Sequence, residues 1–284
     1  MTKLESGSDL TPSAFWRSDG RKRNVLGVLV DAVDYDAAAA AIISAARERH
    51  PFCVAALAVH GVMTGVVDTN QRYRINHFDL AAPDGQPVRW ALNILHRAGL
   101  KEQVRGTDLT LRVLNRAAAE GLPVYFYGSH QEVVATLATR VRRRIPGLVV
   151  AGCEPSKFRP MTLRECRALA RRIVDSNARL VFVGLGCPRQ EVFCYEMRNL
   201  VPVPLIAVGA AFDYLAGHLP EPPAGASRLG LEWLWRLVHE PKRLWRRYVL
   251  LNPAYLCLLS LQVLRVWRPD IDGTKPPPAT SVEA

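Results

Sequence analysis

No two cysteines in this 284-residue sequence stand in a Cys-x-x-Cys pair, and none of the six has a histidine at metal-ligand spacing. Cys53, Cys153, Cys166, Cys187, Cys194 and Cys257 therefore read as reduced thiols of a cytoplasmic protein, not as a zinc site or a disulfide framework. The phosphate-loop pattern Gly-x-x-x-x-Gly-Lys-Ser/Thr is missing, which argues against phosphate-loop hydrolysis. Gly-x-Gly-x-x-Gly followed by a ribose-binding acid is missing too, which argues against a dinucleotide-dependent epimerase or dehydrogenase. Residues 1–24 carry Arg21-Lys22-Arg23 but lack the apolar centre of a secretory signal, and are expected to be a flexible lead. There is no internal repeat. The one strongly apolar stretch, residues 248–264, is too short for the ~20 residues a spanning helix needs. It also contains Asn252, Pro253 and Gln262, so it reads as an interfacial segment.

What is present is a hydrophobic content of 49%, enough for a substantial core, and a formal net charge of +11. The charge is uneven. Between Arg236 and Arg268 there are seven Lys/Arg against one acid, Glu240, which points to an anionic partner: nucleic acid, a phosphorylated substrate or a membrane surface.

Short apolar runs at residues 25–33, 52–59, 123–127, 148–153, 180–183 and 205–208 read as strands. Helical patterns are expected over residues 34–49, 63–78, 88–95, 106–119 with Thr107 as N-cap, 132–144 and 162–176. This alternation predicts an α/β fold, a Rossmann-like parallel sheet with helices on both faces. After Gly217 the prolines Pro220, Pro222 and Pro223 mark a linker. An amphipathic helical appendage follows, broken at Pro241. The expected organisation is a lead (1–24), an α/β domain (25–219), a basic appendage (220–268) and a disordered tail (269–284).

The most informative stretch is residues 181–191, an apolar run into Gly184-Leu185-Gly186, then Cys187-Pro188-Arg189-Gln190-Glu191. A buried strand ending in glycines at the carboxyl edge of such a sheet lets backbone N–H groups approach a phosphate. A tight turn with nothing bound would look the same. Two further strand ends, around Gly128-Ser129 and Gly209, carry small residues and polar successors, and the three together favour a nucleotide or nucleotide-sugar pocket. Asp84 sits in Pro83-Asp84-Gly85, which turn chemistry explains as well as catalysis does. Gln190 is placed either to cap the next helix or to read sugar hydroxyls. Asp213, after Gly209-Ala210-Ala211-Phe212, ends another strand at the same edge. His60 also lies at a strand end, where a structural role is the commoner one. Cys187 has no adjacent base in the sequence to make it a nucleophile.

Taken in order, Pro83-Asp84-Gly85, Gly106-Thr107-Asp108-Leu109, the glycine stretch from Phe182 to Glu191, Gly209 to Asp213, and Arg228-Leu-Gly-Leu-Glu-Trp-Leu-Trp-Arg236 with Glu240-Pro-Lys-Arg243 resemble the WecG/TagA/CpsF glycosyltransferase family (glycosyltransferase family 26) over roughly residues 25 to 250. The resemblance implies an inverting, metal-independent transferase with no cofactor. It would move a sugar from a UDP-sugar to a lipid-diphosphate-linked glycan during synthesis of a bacterial surface polysaccharide. Asp84 would be the general base. Gln190 is the other residue placed in the chemistry. His60, Gly128, Ser129, Gly184, Gly186, Pro188, Arg189, Gly209, Phe212, Asp213, Arg236 and Arg243 would form the substrate site. The enzyme is expected as a peripheral protein on the cytoplasmic face of the inner membrane, with an anionic membrane surface and a second copy of itself as partners and no nucleic acid. The sequence departs from the family at two places: His60 stands where a Thr-x-Asn-type pair is usual, and Arg105 lies two positions from the usual arginine. The rival class is a non-catalytic nucleotide-sugar-binding module that recruits to membranes. Removing everything after Gly230 is expected to leave a folded, more soluble protein that no longer transfers sugar.

Overall fold

The computed structural model describes residues 20–223, 225, 230–271, 275–277 and 282–283; the side chains of Arg243, Arg246 and Arg247 lie outside the described set, as do Arg228 and Leu229 of the appendage motif. The chain opens with a hairpin, β1 (Lys22–Val25) and β2 (Val28–Asp31), then α1 (Tyr35–Glu48), β3 (Cys53–Leu57), α2 (Val59–Val67), α3 (Thr69–Asn76), β4 (Leu80–Pro83) and α4 (Gln86–His96). It continues through α5 (Gly106–Ala119), β5 (Val124–Gly128), α6 (Gln131–Arg144), β6 (Val150–Glu154), β7 (Pro160–Met161), α7 (Leu163–Asp175), β8 (Leu180–Gly184), α8 (Arg189–Met197), β9 (Leu205–Ala207) and α9 (Ala211–Ala216). The appendage holds α10 (Glu232–His239), α11 (Pro241–Arg246), a π turn (Arg247–Leu251) and α12 (Asn252–Val263).

Six strands form one parallel sheet in the order β4-β3-β9-β8-β5-β6. Strands β4, β5, β8 and β9 are buried along their whole length, as expected of a sheet covered on both faces. On one side, α1, α5, α6 and α9 contribute Ile42, Leu109, Leu137 and Leu215. On the other, α7 and α8 contribute Leu169, Ile173 and Phe193. A third cluster joins the β1–β2 hairpin, α2 and α4 to Tyr255 and Leu259 of α12.

The register fixes which residues share an edge. Leu57 pairs with Pro83, Ala55 with Ala207, Val183 with Ala207, and Gly128 with Gly184. The segments that follow β4, β3, β9, β8 and β5 therefore emerge side by side. Gly128 has φ +127°, and a Cβ there would lie 2.6 Å from the Gly184 backbone. At Gly184 the same atom would meet the Phe212 ring at 2.5 Å. Gly128→Ala is accordingly expected to destabilise by about 1–3 kcal/mol, read as a lower denaturation midpoint, because backbone cannot yield as a side chain can. An unchanged midpoint would contradict that packing.

Several local expectations are corrected. Residues 25–33 are not one strand but the second half of a hairpin, turned at Leu26 and Gly27, both at positive φ, and the hairpin is separate from the main sheet. Residues 63–78 hold two helices. The break is at Asp68, whose carboxylate accepts from the backbone N–H groups of Asn70 and Gln71 and so starts a new helix. Thr107 is not the N-cap of α5; Arg105 is, without a side-chain cap, and the Thr110 hydroxyl donates to the Gly106 carbonyl. Thr162, by contrast, caps α7 in a reciprocal capping box with Glu165. The apolar stretch 248–264 is not wholly given to an outside surface, since α12 buries Tyr255 and Leu259 against the domain.

Candidate active site

The carboxyl edge of the sheet opens into a cavity of about 440 Å³, a size suited to a small-molecule ligand. Asp84, His60, Ser129, Gly184, Gly186, Arg189, Gln190, Gly209, Asp213 and Arg236 line the cavity, whereas Gly128, Pro188 and Phe212 are not among its lining residues. Phe212 is fully buried, its ring edge-on to Phe126 and beneath Gly184, so it forms the floor under the glycine turn instead of a wall. Arg243 belongs to α11, and its side chain is outside the described residues.

Asp84 leaves the end of β4, where its N–H donates to the Leu57 carbonyl of β3 at 3.2 Å. Its Oδ2 accepts from the Gly106 N–H at the start of α5, at 3.4 Å. Burial raises its pKa to about 6, with the nearby negative charge of Glu232 adding to the rise; Arg105, the Gly106 N–H and Arg236 pull the other way. The result is a carboxylate that is ionised near neutrality yet more basic than an ordinary aspartate, which is what a general base requires.

Three and four strand positions away, at about 14 and 19 Å by the ordinary interstrand spacing, the ends of β8 and β5 form the other wall. The Ser129 N–H donates to the Gly184 carbonyl at 2.9 Å, and the Ser129 carbonyl accepts from the Ser156 N–H at 2.9 Å. Gly184-Leu185-Gly186 then turns into α8. Gln190, 4% exposed, does not cap that helix with its side chain. Its amide donates to Glu191 Oε1 at 3.0 Å, its own Oε1 has no hydrogen-bond partner among the described residues, and Gly209 lies against it. A buried, unsatisfied acceptor in a cavity wall is suited to a ligand hydroxyl. Cys187 also lines the cavity, its Sγ 4.0 Å from the Thr64 hydroxyl oxygen. The Asp34-Tyr35-Asp36 stretch has the spacing of a metal-holding pair but is used otherwise: Asp34 caps α1, and Asp36 pairs with Arg116 at 2.8 Å.

The appendage folds back over the Asp84 side. Glu232 and Arg236, one turn apart on α10 and so on one face, both reach the cavity. Arg105 Nε lies 3.4 Å from Glu232 Oε1, Arg105 Nη1 lies 3.6 Å from Asp108, and the guanidinium sits over the Tyr214 ring at 5.3 Å. Arg236 pairs with Glu240 at 3.5 Å. Arg105 Nη2 and Arg236 Nε are buried without a hydrogen-bond partner among the described residues, so both cations keep donor capacity for an anionic ligand. In the sequence Arg105 is marked only by its displacement of two positions from the family's usual arginine, which leaves its role open. Sequence reasoning does not single out Glu232 or Tyr214. The glutamate in Gly-Leu-Glu-Trp was the available signal, but nothing local shows that this segment returns to the sheet.

The model of the Glycosyl transferase WecG/TagA/CpsF family matches residues 23–269. Among the relatives is the N-acetylglucosaminyldiphosphoundecaprenol N-acetyl-beta-D-mannosaminyltransferase of Bacillus spizizenii. It is 33% identical over 190 residues, a stretch that covers 66% of this chain and 71% of that protein. With a basic carboxylate at one end of the cavity, a glycine turn at the other and this match along most of its length, the chain belongs to the WecG/TagA/CpsF glycosyltransferase family.

Proposed function

We propose that the enzyme takes its sugar from a UDP-sugar and transfers it, with inversion, to a polyprenyl-diphosphate-linked saccharide in the synthesis of a bacterial surface polysaccharide. The observation that carries this reading is Asp84, a carboxylate of raised basicity facing a cavity whose far wall is a glycine turn. An acceptor hydroxyl gives its proton to Asp84 as its oxygen bonds to the anomeric carbon. The bond from that carbon to the diphosphate oxygen breaks, and UDP leaves with the electron pair. The glycine turn from Gly184 to Gly186, with Arg189, Arg236 and Arg105 beside the cavity, supplies N–H donors and positive charge for the leaving diphosphate without a metal. Asp213 and Ser129 lie on the nucleotide side, and Gln190 is within the cavity wall to bind sugar hydroxyls.

The Bacillus spizizenii relative is named for an N-acetylmannosaminyl donor group and a lipid-diphosphate N-acetylglucosamine acceptor. UDP-N-acetylmannosamine and a short-chain lipid-diphosphate N-acetylglucosamine are therefore the first substrates to test. Among the described residues no helix is long and apolar enough to cross a membrane. The appendage nevertheless exposes Leu256, Leu264 and Val266, the last two at 70% and 73%. This ridge, with the basic block around it, supports peripheral attachment to an anionic surface, each basic residue contributing about 1 kcal/mol.

The test is a transfer assay with these substrates in excess EDTA, beside a thermal-shift panel of UDP-sugars. Transfer is expected to persist in EDTA, and a donor at 100 times its Kd is expected to stabilise the protein by about 2.7 kcal/mol. Loss in EDTA with rescue by Mg²⁺ or Mn²⁺ would overturn the metal-independent mechanism. Donor binding with no transfer to any lipid-diphosphate acceptor would favour the recruitment module.

A further inference from the structure

We infer that Glu232, on the appendage, is a positioning residue for Asp84: it holds the Arg105 guanidinium away from the aspartate and so keeps that carboxylate free to take a proton once the appendage is docked. The inference rests on the reading of Asp84 as the base.

Arg105 is the N-cap residue of α5, its N–H donating to the Tyr35 hydroxyl oxygen at 3.0 Å, so its backbone is anchored beside Asp84. The guanidinium has three carboxylates to choose from. Asp108 is paired with it at 3.6 Å but is the more exposed of its two ion-pair partners, where solvent weakens the attraction. Glu232 is paired at 3.4 Å in a more enclosed place. Asp84 is the third, and its electrostatic coupling to Arg105 is already felt. Arg105 Nη2, buried and without a hydrogen-bond partner among the described residues, is a donor still seeking an acceptor. If Glu232 were removed, the enclosed carboxylate left to it would be Asp84. An Arg–carboxylate pair there would occupy the lone pair that must receive the acceptor's proton and would make the base weaker.

The other groups facing Asp84 do not replace this function. Tyr35 of α1 is a phenol whose pKa burial has pushed above the usual range, and its hydroxyl donates to Asp108 at 3.3 Å. Tyr214 of α9 is likewise shifted upward by burial and lies under Arg105. Arg236 of α10 is a cation that lowers Asp84's basicity, held by Glu240. His60 of α2 lines the same cavity, and the Gly106 N–H favours the ionised form of Asp84. Glu232 is the anion that both raises Asp84 and ties up the neighbouring cation. It also arrives on a different part of the chain from the rest, so the base reaches working strength only with α10 in place.

The test is the pH dependence of kcat/KM for full-length wild type, Glu232→Gln, Arg105→Gln and the double variant, with UDP-N-acetylmannosamine and the short-chain acceptor, beside Asp84→Asn. In Glu232→Gln the acid limb is expected to move down by about one pH unit, and the plateau kcat to fall several-fold because the base is weaker. In Arg105→Gln the limb is expected to move up, and in the double variant to return towards wild type. A purely structural glutamate would lower activity equally at every pH. An unmoved limb in Glu232→Gln, or limbs moving the same way in both single variants, overturns the inference. If Glu232→Gln fails to fold, the direction of the Arg105→Gln limb decides in the same sense. Full activity in Asp84→Asn removes the base itself and this inference with it. An inactive Asp84→Asn with an unmoved Glu232→Gln limb removes only the inference.

Discussion

Asp84→Asn is expected to lower turnover by ~10²-fold or more while leaving UDP-sugar binding within a few-fold, because general-base assistance is worth about 10²–10⁴-fold. The amide keeps the volume and can still accept from the Gly106 N–H, so the cavity should survive. What it cannot do is take a proton. The wild-type enzyme gives a second readout. A group whose pKa burial raises to about 6 is the active base above that value and is neutralised below it. Activity should therefore fall as pH drops through about 6, and that limb should be missing from any residual activity of Asp84→Asn. Near-wild-type turnover in the purified variant would remove Asp84 from the mechanism.

Truncation after Gly230 is expected to abolish transfer and also to destabilise what remains, the second part departing from the expectation of a folded, more soluble protein. The first loss follows from the chemistry, since Glu232 and Arg236 leave the cavity. The second follows from packing. Leu244 and Tyr255 are at most 1% exposed and Leu259 8%, and Tyr255 and Leu259 sit against Val25, Val28, Val62 and Leu92 of the domain. Gln262 accepts from the Leu26 N–H at 2.9 Å and donates to the Asn24 carbonyl at 3.1 Å, while the Tyr255 hydroxyl donates to the Pro87 carbonyl at 3.2 Å. Burial of three large apolar side chains at ~1.5–3 kcal/mol each is a large share of a total stability of about 5–15 kcal/mol. A fall in Tm of about 10 °C or more follows for a chain of this size. Tyr255→Ala separates the two effects: it should lower stability by about 3–5 kcal/mol yet retain transfer at temperatures where it is folded, because Glu232 and Arg236 remain. A truncated protein with the full-length Tm, or one that still transfers sugar, would contradict this account.

Much of the candidate site was legible because it lies where elements end, and element ends leave local marks. Pro83-Asp84-Gly85, Gly184-Leu185-Gly186 and Gly209 each follow an apolar run, and all three do stand at the carboxyl edge of the sheet. What was not legible was of two kinds. Leu26 and Asp68 interrupt patterns that look continuous, because a residue at positive φ or an aspartate accepting two N–H bonds breaks an element without changing its hydrophobic periodicity. The places of Phe212 and Arg105 were not legible because direction, not position, separates a wall residue from a floor residue. Phe212 turns under Gly184, while Arg105 turns into the cavity.

The alternation of apolar strands with helical patterns, the glycines at strand ends and the spacing of the appendage motif are local properties. They determined the α/β class and the family without any knowledge of contacts. Strand order is not local. That β9 and β8 insert between β3 and β5, so that Asp84 faces the glycine turn across the cavity, depends on which buried faces pack together. The return of α10 over that cavity, and with it the meeting of Glu232, Arg105 and Asp84, depends on α12 having an apolar face that matches the hairpin, α2 and α4. Side-chain periodicity names an element and its buried side; only the packing of distant elements decides which charges become neighbours.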